Sequence, residues 1–157
     1  MKIYITKDMN KYSKEVYSTP TTERKNLRVA GLDAEQAMWS VTGKPWVPSY
    51  GPVDFTHRDR NIQFKSRMKD PSKSMFLVSN KQYIDPSITH FTFVEVEYYK
   101  DPKGNKIGEV HPILDKKEKV QLFPKAYIER YMKKHIQNVE AMYIQEKFLR
   151  NYHNYKY

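Results

Sequence analysis

The chemically richest stretch of the sequence is residues 51–61, GPVDFTHRDRN, which contains one histidine, two arginines and two aspartates. An imidazole beside a carboxylate can serve as a general acid or base, and Asp54 and Asp59 both lie close to His57 in the chain. The stretch supplies no obvious nucleophile, and its alternating charges are typical of a solvated turn that neutralises itself. We therefore rank a solvated loop first, a contact with phosphate or a partner second, and catalysis by His57 third.

The same region combines cations with aromatic rings, as sites for single-stranded nucleic acid do. Guanidinium groups bind phosphate in a bidentate manner, which favours the two arginines as phosphate contacts. Pro-rich loops that contain Trp also bury their rings or dock on another subunit, so a protein partner is the alternative. The predicted contact residues for nucleic acid or another partner are Lys44, Trp46, Tyr50, Phe55, Arg58 and Arg60.

His90 and Thr92 form the sharpest catalytic pattern, because residues two apart in a strand share a face. Their imidazole and hydroxyl would reach one phosphate oxygen, as in the two-histidine phosphoesterases. Those enzymes need a second His-x-Ser/Thr pair, and no other histidine of this chain is followed two positions later by Ser or Thr. We therefore prefer a strand end with polar residues, and a phosphoesterase is kept as an alternative.

Arg130 and His135 have the Arg-x4-His spacing of some helical ribonucleases. Five residues turn an α-helix through about 500°, which leaves the two side chains roughly 140° apart. They would meet only through long side chains or across a dimer. His135 also belongs to an apolar stripe, which favours a packed histidine over a catalytic one.

Metal and cofactor sites are not expected from the sequence. The five histidines are scattered without the spacing of metal ligands, and no His-x3-His pair occurs. The chain has no cysteine, which excludes disulfides, thiolate zinc sites and a cysteine nucleophile.

Charge points most directly to a partner. The 157 residues carry a net charge of +10 and the pI is about 9.6, which suits a polyanion such as nucleic acid. Only seven of the 28 basic residues are arginine, and an AT-rich genome enriches lysine through its codons alone. The positive charge is thus compatible with selection for a polyanionic partner and with codon bias alone.

The N-terminal residues do not resemble a targeting segment. The first residues, MKIYITKDMNKY, contain only a short apolar run, and no segment reaches the length of a membrane span. We therefore expect no signal peptide, no membrane partner and a cytoplasmic protein, or a virion protein if the gene belongs to a phage.

The N-terminal part is predicted as a strand, an arm, a helix and a loop. Residues 1–31 contain the strand KIYIT followed by a polar extended arm. Residues 32–43 form a short helix with Asp33 as its N-cap and Gln36 at the capping-box position. Residues 44–60 form a long loop rich in proline and aromatic residues.

The remainder is predicted as strands followed by a helix. Residues 61–123 are antiparallel strands by their β-branched, aromatic and alternating composition, at 61–66, 74–79, 89–99 and 107–114 and in VQLF. Residues 124–151 form one long helix and 152–157 a tail. The helix rests on an apolar stripe at spacings of mostly three and four, namely Ile128, Met132, His135, Val139, Met142, Tyr143 and Leu149.

These elements predict a single α+β domain over residues 1–157. Its sheet is mainly antiparallel with four to five strands, a short helix lies in the N-terminal half, and a long C-terminal helix packs on one face. The favoured function is a small basic protein that contacts nucleic acid. The alternatives are a structural or assembly protein, for example a phage virion component using loop, arm and tail, and a phosphoesterase or ribonuclease using His90/Thr92 or Arg130/His135.

Overall fold

Strands account for most of the regular structure in the computed structural model. The structure describes residues 2–6, 9, 22–40, 51–79, 84–113, 120–134 and 141–152, with helix side chains from residue 31 onwards. The helices are α1 (Thr22–Ser40), α2 (Lys125–Tyr131) and α3 (Glu146–Arg150) in these segments. The strands there are β1 (Ile3–Ile5), β2 (Phe55–His57), β3 (Arg60–Met68), β4 (Met75–Ser79), β5 (His90–Lys100), β6 (Lys106–Pro112), β7 (Phe123–Pro124), β8 (Lys133–Lys134) and β9 (Met142–Gln145).

The strands belong to two sheets. The larger follows the order β1-β6-β5-β3-β2, with β7 also paired to β5, and the smaller follows the order β4-β9-β8. β3 and β5 run in the same direction, because Thr89 N–H donates to Asn61 O near their starts and Lys69 N–H donates to Val96 O further along both. The β1–β6 and β2–β3 pairs are antiparallel, so the larger sheet is mixed.

The chain groups into two compact units. The first comprises Met1–Val47, Ser66–Lys69 and Val94–His111, and the second comprises Pro48–Lys65, Asp70–Phe93 and Pro112–Tyr157. Strands β3 and β5 therefore supply residues to both units. The single domain over residues 1–157 stays a prediction.

In the first unit, α1 packs against β1. Its buried apolar side chains come from the helix and from three strands: Ile3, Leu32, Ala34, Ala37, Met38, Val94, Val96 and Val110. Gly108 on β6 permits the side chains of Tyr98 and Ile5 to approach its backbone closely. A Cβ atom at this position would lie 2.8 Å from Tyr98 Cε1 and 2.9 Å from Ile5 Cβ, distances that a side chain does not tolerate.

The second unit has an aromatic core. Phe93 is its centre, with Phe76 at 5.3 Å and Phe123 at 5.7 Å between ring centroids, both edge-to-face. Tyr127 is buried as well and satisfies its hydroxyl by donating to Phe148 O at 2.5 Å. The buried aliphatic members of this core are Val78, Ile84, Ile88, Ile113, Ile128, Ile144 and Leu149.

The predicted long C-terminal helix is wrong, and with it the α+β class, because the structure is mostly β. α2 ends at Tyr131, and Met132 already has an extended backbone with φ −73° and ψ 148°. Residues 142–145, MYIQ, alternate between more and less buried positions, which is the period of a strand. Among the described members of the apparent helical stripe, Ile128 and Leu149 lie on two different short helices. Met142 and Tyr143 lie on a strand instead, and their side chains point to opposite faces of β9.

The N-terminal helix also differs from the predicted 32–43. α1 begins at Thr22, within the predicted arm, where Glu, Arg, Lys and Leu are strong helix formers. Asp33 is therefore an interior residue and not an N-cap. Asp33 is fully buried. The pKa of Tyr98 is raised to about 12, mainly because Tyr98 itself is partly buried and secondly because of the negative charge of Asp33. Gln36, the second capping residue, instead donates to Leu32 O at 3.4 Å.

The predicted strands are confirmed in position. KIYIT and residues 61–66, 74–79, 89–99 and 107–114 correspond to β1, β3, β4, β5 and β6, and VQLF contains the start of β7. Alternation and β-branched composition were sufficient signals for these segments because each has one face or both in a core.

Gly108 provides a test of the first unit. We expect Gly108→Ala to lower the free energy of unfolding by about 1–3 kcal/mol, because the new methyl group overpacks against Tyr98 and Ile5. Urea denaturation followed by circular dichroism measures this decrease. Gly51→Ala is the matched control, since its Cβ would meet nothing within 4 Å. Equal stability of the two variants would contradict the close approach of β1, β5 and β6.

Candidate functional site

The β2–β3 hairpin lies at one edge of the larger sheet. His57 pairs with Arg60, which leaves Arg58 and Asp59 as a two-residue turn. Arg58 has a φ of 58°, in the left-handed region that glycine and asparagine prefer at such turns. Arg58, Asp59 and Arg60 are all exposed. The hairpin therefore projects two guanidinium groups at its tip, one of them from a backbone position that disfavours arginine.

Two rings lie side by side behind this tip. Phe55 and His57 are two residues apart on β2, and their rings are 6.1 Å apart between centroids with an interplanar angle of 7°. Both side chains are half-buried. His57 Nδ1 is buried and has no hydrogen-bond partner in the described structure. No described carboxylate orients this imidazole. The geometry therefore favours a packing role for His57 over a role as a general acid or base.

The carboxylates near His57 in the sequence are directed elsewhere. Asp54 Oδ2 accepts the backbone N–H of Phe64 at 2.8 Å. Asp54 also opposes the effect of burial on Lys65, whose pKa is lowered by that burial. Asp59 is exposed within the turn.

His90 stands at the start of β5 in a small hydrogen-bond network. Its Nδ1 lies 2.8 Å from Thr89 Oγ1. This hydroxyl oxygen accepts Asn61 N–H at 2.7 Å and is 3.1 Å from Asn61 O. When the hydroxyl donates to Asn61 O, His90 carries its proton on Nδ1 and leaves the lone pair of Nε2 available.

The electrostatic field of the hairpin reaches His90. Burial lowers the pKa of His90, the positive charge of Arg60 lowers it further, and Asp59 raises it in part. His90 is therefore neutral at neutral pH. Arg60, Asp59 and His90 form one electrostatic cluster at this end of the sheet.

In the structure, His90 and Thr92 have different hydrogen-bond partners. Thr92 is buried, and its hydroxyl donates to Gln121 O at 3.4 Å. The hydroxyl next to the His90 imidazole belongs to Thr89 instead. Thr89 and Asn61 were missed from the sequence because their contact depends on the parallel pairing of β3 and β5, for which the sequence contains no local signal.

The other predicted site residues fall in several places. Arg130 is exposed on α2, with its guanidinium 5.5 Å from the Tyr131 ring. α2 ends before residue 135, and His135, Lys44, Trp46 and Tyr50 lie outside the described residues. Of the predicted contact set, the hairpin thus unites Phe55, Arg58 and Arg60. Within the described segments, no group of three or more His, Asp or Glu side chains could hold a metal ion.

No family model, curated protein or solved structure matches this chain. Among the described segments, none of the helices has the length and apolar character needed to cross a membrane.

The lowered pKa of His90 makes the stability of the protein depend on pH. The unfolded state, with a His pKa of about 6.5, binds the proton more readily than the folded state. The contribution of His90 is therefore fully present above that value and decreases as the pH falls through it towards the folded pKa. We expect urea unfolding to show a steeper decrease in stability between about pH 7 and about pH 5 in the wild type than in His90→Gln. Parallel pH profiles would contradict this environment for His90.

Proposed function

We propose that this protein binds single-stranded nucleic acid through the hairpin surface, which we define as Phe55, His57, Arg58, Arg60 and His90. The observation that carries the proposal is the pair of exposed arginines at the tip of an edge hairpin, directly beside two parallel rings. Cations that follow a phosphate backbone and rings that stack with bases are the two components of such sites.

Phosphate binding is supported by the state of the two arginines. Both side chains are exposed, and neither forms an ion pair with a described carboxylate. Their guanidinium groups are therefore free of the competition that occupies Arg67, which lies 3.6 Å from Glu95. The net charge of +10 adds a long-range attraction for a polyanion.

Base stacking is supported by the geometry of β2. Phe55 and His57 share one face of an edge strand, and their rings are nearly parallel. A half-buried ring is held in place by its neighbours, so that little side-chain entropy is lost when a base stacks on its open part. Such stacking is tolerant of base identity, which favours binding without a strong sequence preference.

The backbone of Arg58 gives an independent argument. A non-glycine residue at φ 58° carries a conformational cost. Residues held in such regions concentrate at functional sites, where the side chain is needed despite the strain. Arginine in place of glycine at this turn is consistent with a contact role for its guanidinium.

The catalytic alternatives receive less support from the geometry. A phosphoesterase using His90 and Thr92 would need a hydroxyl that Thr92 directs to Gln121 O. For a ribonuclease using Arg130 and His135, the geometry of the pair is not defined, because His135 lies outside the described residues. A protein-contact role, by contrast, is favoured by exposed apolar side chains on the smaller sheet, which are considered below.

Removing the two arginines tests the proposal. We expect Arg58→Ala/Arg60→Ala to weaken binding of a fluorescein-labelled oligothymidylate at low salt. The magnitude of the log–log salt slope should fall by about 0.7 for each phosphate that the variant no longer neutralises. Fluorescence anisotropy measures both the affinity and the slope.

The matched control for this experiment is Lys100→Ala/Lys103→Ala. It removes the same charge from exposed positions at the turn between β5 and β6. Equal weakening by both double variants would assign binding to net charge and not to the hairpin surface. Cleavage of a matching oligoribonucleotide by the wild type that disappears in His90→Gln would favour the enzymatic alternative.

Arg58→Gly separates function from stability at one residue. Glycine adopts a positive φ without the steric cost of a Cβ, so we expect stability to be equal or higher by up to about 1 kcal/mol. Oligonucleotide binding should nevertheless weaken as in Arg58→Ala. Thermal denaturation and anisotropy on the same preparations give both values. A decrease in stability together with unchanged binding would contradict both parts of the prediction.

A further inference from the structure

The smaller sheet has an exposed face that is partly apolar. Met75 and Leu77 on β4 are 41% and 38% exposed, large values for apolar side chains. In the register of the sheet, Leu77 lies opposite Tyr143 on β9, and Tyr143 lies opposite Lys133 on β8. An aliphatic, an aromatic and a cationic side chain therefore form one row across the three strands, with Phe76 and Ile144 buried on the other face.

β4 is at the edge of this sheet in the described chain. Glu146 N–H donates to Ser74 O at 2.7 Å. Because antiparallel ladders alternate, this bond makes Phe76 the next residue hydrogen-bonded to β9 and turns the N–H and C=O of Leu77 towards the opposite edge. One strand thus presents an apolar side chain on its open face and main-chain polar groups at its edge, which is the arrangement that accepts an added strand.

Four lysines lie at the start of this strand and on the far strand of the same sheet, without carboxylate partners among the described residues. Lys73 precedes β4, and Lys147 follows the Glu146 contact with Ser74, so both lie at the start of the strand. Lys133 and Lys134 are exposed on β8. None of the four forms an ion pair with a described residue, whereas the neighbouring Glu146 is paired with Arg150 at 2.9 Å.

We propose that β4 binds an extended acidic segment of a partner protein, which pairs with the main chain of Leu77 as a fourth strand of the smaller sheet. Main-chain pairing at Leu77 supplies the geometry, and apolar side chains at alternate positions of the segment cover Met75 and Leu77. Carboxylates at one end of the segment meet Lys73 and Lys147. This charge complementarity selects an acidic partner.

Two other occupants fit less well. A second copy of the chain carries a net charge of +10 and would bring the same lysines together across a two-fold axis. Nucleic acid would satisfy the charge, but it has no main chain of alternating donors and acceptors with which to pair with the edge of β4.

The probe is a fluorescein-labelled peptide, Val-Glu-Val-Thr-Val-Asp-Asp-Glu, titrated with the full chain and followed by anisotropy. We expect Leu77→Glu to weaken binding by about tenfold or more, and Leu77→Ile to preserve it. Lys73→Ala/Lys147→Ala should weaken binding and reduce its dependence on salt. Leu77 is exposed, so these variants leave the core intact, which circular dichroism checks.

Two N-methylated versions of the peptide test strand addition directly. One carries methyl groups on the odd-numbered amides and the other on the even-numbered amides, so only one of them removes the N–H groups that face β4. The proposal requires that one version binds and the other does not. Equal binding of both versions, or no binding by the unmethylated peptide at its highest soluble concentration, overturns it.

The remaining occupants are tested with the same variants. Oligothymidylate binding that Leu77→Glu abolishes would assign the face to nucleic acid and overturn the proposal. Light scattering that shows a dimer in the wild type and a monomer in Leu77→Glu would overturn it in favour of a second copy. Because Leu77 lies outside the hairpin surface, Arg58→Ala/Arg60→Ala should leave peptide binding unchanged, and the two surfaces can fail independently.

Discussion

The structure depends on the burial of β5 on both faces. Every residue from Phe91 to Val96 is buried, although a strand with only one covered face would alternate. β5 is also the strand to which β3, β6 and β7 are paired. The main chain of β5 is paired on both sides, and both of its side-chain faces are covered. At its N-terminal end, the first residue that is not fully buried is His90, which contacts Thr89 beside the beginning of β3. The location of the hairpin surface follows from where this strand leaves the core.

The sequence predicted the strands well because their signal is local. β5 contains a dense run of β-branched and aromatic residues, and residues 74–79 are an apolar run between turns. The prediction for the C-terminal segment was wrong because it relied on the same kind of local signal. Apolar residues at spacings of three and four indicate a helix only when they belong to one continuous element. Met142 and Ile144 are buried two residues apart in β9, between β4 and β8. That tertiary context is absent from any short window of sequence.

The candidate site was predictable only in part. Phe55, Arg58 and Arg60 stand out by residue type, and a tight turn keeps them adjacent. The network of His90, Thr89 and Asn61 was not predictable, because it joins two strands that are parallel and separated by the whole of β4. The alternative in which His90 and Thr92 act together receives less support from the geometry, for a reason that sequence periodicity does not contain. A hydroxyl on a strand buried on both faces must find an internal acceptor, and Thr92 finds Gln121 O.

Ion pairing divides the charges of this protein into two kinds. In the first unit, two basic groups lie close to one glutamate of β5: Lys69, just after β3, is 3.5 Å and His111 on β6 is 3.1 Å from Glu97. On the hairpin surface and around β4, cations face solvent without such partners among the described residues. An exposed edge strand with apolar side chains invites pairing with identical copies, and flanking lysines oppose that pairing by repulsion. The same lysines would attract a carboxylate-bearing strand. In the proposed interaction, a single arrangement of charge would therefore both oppose self-association at the edge of β4 and select an acidic partner.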